Sequence, residues 1–269
     1  MSVSRGTIAA VLLLVTTVTL AGKPKAGGFT YDEVTALSAA PPAARVAYGD
    51  DPLQHALHWR ATSPRGTVIF VHGGCWLSAY DVAHSRPFAA AMAAAGFDSW
   101  SLEYRRTGNP GGGWPGSAED VRRAVTMILA EEPPPPVFLI GHSAGGHLAL
   151  LAAPAFGDRL AGAVGLAAIT DLVAYAQGSN PCEQATREFM GGMPDTQSDA
   201  YAEATLSNKT IHANTFLLHG GRDTIVAPSH AAHPAAVSSV LADAGHFDWI
   251  HPQSDAFQNV LRTLEAAAP

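Results

Sequence analysis

Charge is scarce in this chain of 269 residues: 14% are Asp, Glu, Lys or Arg, 16 basic against 23 acidic, for a formal net charge of -7. A polyanion-binding surface needs clustered basic side chains, so this balance argues against a nucleic-acid partner. With 47% hydrophobic residues the low charge fits a compact globular chain, not a disordered one. Cysteine falls to two positions, Cys75 and Cys182, which indicates no compartment and leaves open whether they pair. No H-E-x-x-H and no paired C-x-x-C occurs, and Gly111-Gly112-Gly113 lacks the Lys of a phosphate loop, so no metal or cofactor is expected. Long apolar runs are missing except at residues 8–20, which are too few for a normal membrane span. With Arg5 before that run and Thr19-Leu20-Ala21 closing it, residues 1–21 read as a secretory signal peptide cut after Ala21, an uncleaved anchor being the alternative. Residues 22–42 read as a linker and 43–269 as the domain, secreted, periplasmic or extracellular, with no stable membrane insertion once the leader is cut.

What is present is apolar sequence in short bursts. Residues 45–48 and 54–61 flank Gly49-Asp50-Asp51-Pro52 and read as an antiparallel hairpin. Strands and helices then alternate: a strand to Val71, a helix near 88–95, strand 98–102, helix 118–131, a strand to Ile140, a helix to Ala153, and strands at 161–168, 215–218 and 237–241. That order predicts a mostly parallel sheet with helices on both faces, in one domain. Ser117 with Asp120 reads as a variant capping box on helix 118–131. Between Asp223 and His246 only residues 227–236 are free for a helix, interrupted by Pro228 and Pro234, so it must be short or irregular. Residues 107–116, rich in Gly and Pro, lie near the carboxyl edge of the sheet and read as a mobile rim. Residues 171–213 are too long for a plain connection and read as a small cap, with one helix opened by Asn180-Pro181 and stopped by Gly191-Gly192 and a second over 198–206. The modest apolar content of this cap argues against a long apolar ligand beneath it.

Two motifs close buried strands. Gly141-His142-Ser143-Ala144-Gly145-Gly146 matches G-x-S-x-G, in which serine sits on a sharp strand-to-helix turn and a Cβ at either flanking glycine would collide with its neighbours. A serine hydroxyl is a weak nucleophile, so it needs a base for its proton and N–H donors for the oxyanion it creates. His72-Gly73-Gly74-Cys75-Trp76 meets the second need: a turn at Gly73 and Gly74 aims the N–H groups of Gly74 and Cys75 at one spot, joined by that of Ala144. Alone, G-x-S-x-G arises by chance on the order of 0.1 times per chain of this composition; the order and strand context of both motifs carry the weight.

These residues, with Glu103-Tyr104-Arg105, His219-Gly220-Gly221-Arg222-Asp223 and Gly245-His246-Phe247, resemble α/β-hydrolase serine esterases bearing an H-G-G-x-W motif, a group that includes kynurenine formamidase-like and hormone-sensitive-lipase-like enzymes. The resemblance covers nearly all of the chain after residue 42. It implies the α/β-hydrolase fold and a triad in the order Ser, Asp, His, here Ser143, Asp223 and His246. The residues support it independently: Asp223 leaves strand 215–218 on the same edge as the other motifs, and His246 leaves the last strand in a turn.

Other histidines compete for the base. His230 and His233 lie between Asp223 and His246, but a residue inside a helical segment faces away from the strand ends. His142 reads as structural and His72 as a strut for its own loop. Trp76, Trp114 and Trp249 follow strand ends and read either as walls of an acyl or alcohol pocket or as rim packing. Asn208-Lys209-Thr210 is a glycosylation sequon. The expectation is a secreted carboxylesterase acting on small or medium esters through an acyl-enzyme. An amidase or arylformamidase is the second reading, and a hydrolase-fold binding protein without catalysis the third. The partner is a small-molecule ester or amide, and the oligomeric state is left open.

Overall fold

The computed structural model describes residues 28–207 and 209–268. The expected signal peptide at residues 1–21, residues 22–27 of the expected linker and Asn208 of the sequon lie outside the described residues. Residues from 28 onward are already packed on the domain. Helix α1 (Tyr31–Thr35) opens on a Thr30/Glu33 capping box and buries Val34, and the Phe29 ring stacks on His251 at 3.5 Å.

Eight strands form one sheet: β1 (Ala44–Ala47), β2 (His55–Trp59), β3 (Thr67–Val71), β4 (Asp98–Leu102), β5 (Val137–His142), β6 (Gly162–Leu166), β7 (Thr215–Gly220) and β8 (Val237–Leu241). Their order is β1-β2-β4-β3-β5-β6-β7-β8. The leading hairpin β1/β2 is antiparallel, as is β2 to β4, and every other pairing is parallel. Continuous burial along TVIFV of β3 and VFLIGH of β5 reflects helices on both faces.

Those helices are α2 (Arg86–Ala94), α3 (Gly116–Ala130), α4 (Ala144–Ala152) and α8 (Asp255–Ala267), with α5 (Leu172–Tyr175), α6 (Pro181–Met190) and α7 (Ser198–Ala204) in the cap. Strand residues divide by period two. Val68, Phe70 and Phe138 pack with Phe88 of α2 and Phe257 of α8, while Ile69, Val71 and Leu139 pack with Val121 of α3 and Leu148 of α4. Fully burying each such side chain contributes roughly 1.5–3 kcal/mol.

Several expectations need correction. Helix α3 begins at Gly116 with no side-chain cap. Ser117 Oγ donates instead to the Arg105 carbonyl at 2.6 Å, and Asp120 accepts from Arg105 Nε and Nη2 at 2.8 and 2.7 Å, so the expected capping pair anchors the exit of β4. The rim at 107–116 is tied down: Thr107 N–H donates to Trp76 O, Ser78 N–H to Thr107 O and Trp114 N–H to Phe189 O, each at 2.9 Å. The segment between Asp223 and His246 is as irregular as its two prolines lead one to expect, with only a 3₁₀ turn at Pro228–Ala231 and no α-helix. An open cleft of about 570 Å³ remains there, bordered by His233 and by Val240 of the edge strand β8. Helix α8, absent from the sequence reading, covers one face of the sheet. The cap follows its sequence signals. Asn180 and Glu183 form a capping box on α6, Pro181 stands at its first position, and Gly191 ends it at φ 75°.

Candidate active site

Parallel pairing brings five strand ends to one edge: Val71 is level with Gly141, His142 with Leu166 and Gly220 with Leu241. That carboxyl edge is where open α/β sheets bind ligands. Ser143 sits between β5 and α4 at φ 55°, ψ -122°, a conformation that L residues avoid. Its neighbours show why both flanking glycines are needed. A Cβ on Gly141 would come within 2.2 Å of Gly145 O, and one on Gly145 within 2.2 Å of the Val71 and His72 carbonyls. Ser143 N–H donates to Leu166 O at 2.9 Å, and the residue is 2% exposed.

The second motif lies directly beside it. A Cβ on Gly73 would meet the Ser143 Cβ at 3.1 Å and the His142 carbonyl at 2.9 Å. The next three residues are left-handed, with φ 104° at Gly74, 52° at Cys75 and 57° at Trp76. Successive N–H groups in such a turn make an anion-binding concavity. Among the described residues nothing accepts from the N–H groups of Gly73, Gly74, Cys75 or Ala144.

Beneath the turn lies a buried polar cluster. His72 Nδ1 faces Gly73 O at 2.8 Å, a carbonyl that can only accept, so this nitrogen carries the hydrogen. Tyr104 Oη donates to His72 O at 2.9 Å and its ring stacks on the imidazole. Glu103 accepts from Arg106 and from the Val82 N–H. Burial would raise its carboxyl, but His72, Arg106 and that N–H outweigh burial and bring it down to about 2. His72 is thus the strut that the sequence suggested.

Asp223 and His246 meet where β7 and β8 end. His246 Nδ1 lies 2.7 Å from Asp223 Oδ2, while Asp223 Oδ1 accepts the N–H groups of Ile225 and Val226, both at 2.9 Å. His219 Nε2 also faces Asp223 Oδ2, at 3.4 Å. Burial pushes this carboxyl up, yet the His219 and His246 hydrogen bonds and the His246 charge hold it well below the usual carboxylate range. With Nδ1 turned to a carboxylate, His246 has Nε2 left over, a ring nitrogen able to take up a proton. Among the described residues, neither Ser143 Oγ nor His246 Nε2 has a hydrogen-bond partner; in unliganded enzymes a bond between nucleophile and base often forms only when substrate binds.

The competing histidines are engaged elsewhere. His230 Nδ1 accepts from the Thr170 and Asp171 N–H groups at 3.2 and 3.3 Å, and burial, with His219 nearby, lowers its pKa to about 4. His233 borders the open cleft beside β8. His142 Nε2 donates to the His246 carbonyl at 2.9 Å, and burial first, then the His246 charge, keeps it neutral. It joins the serine turn to the histidine loop, a non-local role that sequence does not signal. Asp248 Oδ2 braces the same loop by accepting from Gly245 and Phe29 N–H groups, both at 3.0 Å.

The three tryptophans divide. Trp76 and Trp249 are 0% exposed and belong to the two cores, so neither lines a pocket. Trp114 is half-buried, edge-on to Phe189 of α6. Cys75 and Cys182 form a disulfide with Cα atoms 5.1 Å apart, joining the glycine turn to α6.

A model of the BD-FAE family matches residues 56–235. Esterase LipC of Mycobacterium tuberculosis is 34% identical over 117 residues, covering 40% of this chain and 28% of LipC. An acetyl-hydrolase of Streptomyces hygroscopicus is 36% identical over 93 residues, covering 34% of this chain and 30% of its own. The matched segments thus span less than a third of either relative. Among solved structures, esterase B from Lactobacillus rhamnosis superposes with a TM-score of 0.68 at 16% identity, over 88% of this chain and 89% of that one. From the sheet, the turn at Ser143 and these likenesses together, the chain belongs to the BD-FAE family and has the α/β-hydrolase fold.

Proposed function

We propose that this chain is a carboxylesterase that cleaves small or medium esters through an acyl-enzyme. Ser143 Oγ attacks the acyl carbon as its proton passes to His246 Nε2, and the carbonyl oxygen becomes an anion held by the N–H groups of Gly74, Cys75 and Ala144. Asp223 accepts the His246 Nδ1–H and stabilises the imidazolium without taking the proton. Collapse breaks the bond to the alcohol oxygen, which leaves with the proton from His246. Water then attacks the acyl-enzyme by the same route, releasing the carboxylic acid and restoring Ser143.

The observation that carries this reading is the juxtaposition of a strained serine turn with free N–H groups and, on the same edge, an Asp223–His246 pair at 2.7 Å. The relatives named esterase and acetyl-hydrolase support an ester substrate. A nucleophile only 2% exposed supports a short acyl group. Export belongs to the proposal too, supported by the leader pattern and by a cross-link that persists in oxidising compartments. Labelling the folded protein with a fluorophosphonate is the test. The expected adduct is one phosphonyl group on Ser143, located by peptide mass spectrometry, and an unlabelled folded protein would refute the covalent route.

A further inference from the structure

Three consecutive left-handed residues, two of them bearing a Cβ, are an unfavourable way to build a turn, since L side chains clash with their own backbone there. The turn's own hydrogen bonds do little to hold it: Leu77 N–H donates to Gly74 O, and Trp76 O accepts from Thr107 N–H. Trp76 also meets His147 of α4 edge-on, but the covalent grip and the stacked ring come from the cap. Cys75 is bonded to Cys182 at the start of α6, and the Trp76 ring stacks on Phe189 of the same helix at 4.7 Å, 12° from parallel. Positions 182 and 189 are two helical turns apart and so share one stripe of α6.

The N-terminal end of α6 also reaches the acid loop. Asn180 caps the helix with Oδ1 and donates from Nδ2 to Ile225 O at 3.0 Å, and the Ile225 N–H donates to Asp223 Oδ1. We infer that α6 is a positioning element for the reaction: through Cys182 and Phe189 it holds residues 74–76 in the conformation that aims the Gly74 and Cys75 N–H groups at the developing oxyanion. Asn180 ties the same helix to the loop that carries Asp223. The inference rests on the esterase reading above. It assigns the disulfide to transition-state binding in addition to fold stability, because a correctly placed donor acts on the oxyanion far more than on the ground-state carbonyl.

Two variants separate those roles. Cys182→Ala removes the tether and leaves a side chain at the left-handed position. Cys75→Gly/Cys182→Ala removes the tether too, but gives that position to glycine, which adopts positive φ freely. Both lack the cross-link, so both should melt earlier than the native protein. With p-nitrophenyl acetate, Cys182→Ala is expected to lose about tenfold to a hundredfold in kcat with KM within about threefold, whereas the glycine variant recovers most of the lost kcat. Equal kcat in the two variants, or a loss confined to KM, would overturn the positioning role. Should Cys182→Ala fail to fold, phosphine reduction of the folded native protein replaces it: kcat should fall as two thiols become titratable and return on reoxidation, and unchanged kcat would overturn the inference. Two free thiols in denatured, unreduced protein would overturn it at the outset. If the native protein shows no Ser143-dependent hydrolysis, the esterase reading itself fails, and that is seen before any cysteine variant is made.

Discussion

At Asp223 two backbone N–H groups and two imidazoles converge on one buried carboxylate. Asp223→Asn keeps the shape but presents an amide in place of the charge, so His246 loses both its tautomer control and the counter-charge for its imidazolium. Steady-state kinetics should show kcat down by about 10³–10⁴-fold, and a loss under tenfold would remove Asp223 from the reaction. Gly145→Ala tests the packing of the serine turn. With backbone oxygens 2.2 Å from the added Cβ, the variant is expected to unfold at much lower urea than the native protein or to be insoluble, and a native-like urea midpoint would contradict that packing. Ser143, Gly141, Gly145 and the glycine turn were legible in the sequence because their requirements are local, fixed by the backbone of a few residues. His142 and Asp248 were not, because their partners, the His246 carbonyl and the Phe29 N–H, lie 104 and 219 residues away.

Elements whose ends carry their own chemistry were equally readable. Asn180, Pro181 and Gly191 fix α6 without outside help, and Pro228 and Pro234 announce that no full helix precedes β8. The errors arose where tertiary placement decides. Ser117 and Asp120 have the composition of a cap but are drawn off by Arg105. Trp76 and Trp249 follow strands, as pocket residues do, yet point into the cores. The Cys75–Cys182 pairing was an open question in the sequence and not an error, since the bond joins residues 107 apart that meet only once the cap folds over the sheet. Helix α8 had a usable signal, with Ser254 as N-cap and Phe257, Val260 and Leu264 at helical spacing. Its contribution is measurable: Leu264 is fully buried, so Leu264→Ala should lower unfolding free energy by about 2–5 kcal/mol in urea titration. A change under about 0.5 kcal/mol would mean that α8 is not part of the cooperative core.

Across the whole molecule, unusually many histidines are buried and neutral. His84 is lowered to about 3, and His147 and His230 to about 4, with burial the leading cause in each, and His142 lies well below its ordinary value for the same reason. An unfolded histidine takes up its proton near pH 6.5, so below that pH the unfolded chain binds more protons than the folded one. Stability is therefore fully present above about pH 6.5 and falls as pH drops toward 4, each such group adding up to about 1.4 kcal/mol per pH unit. Asp223 acts lower down: its depressed pKa stabilises the fold above the unfolded value of about 3.9, and that contribution is lost as pH falls further. Melting followed by circular dichroism should show Tm dropping by many degrees between pH 7 and 5, and a flat Tm to pH 4.5 would contradict the buried neutral histidines. The central claim is serine-dependent ester hydrolysis, and its most direct measurement is the turnover of p-nitrophenyl esters of increasing acyl length by the native protein and Ser143→Ala side by side. The expected result is activity greatest at acetate or butyrate and several orders of magnitude lower in a folded Ser143→Ala variant. Equal activity in the two proteins, or none at any chain length, would contradict it.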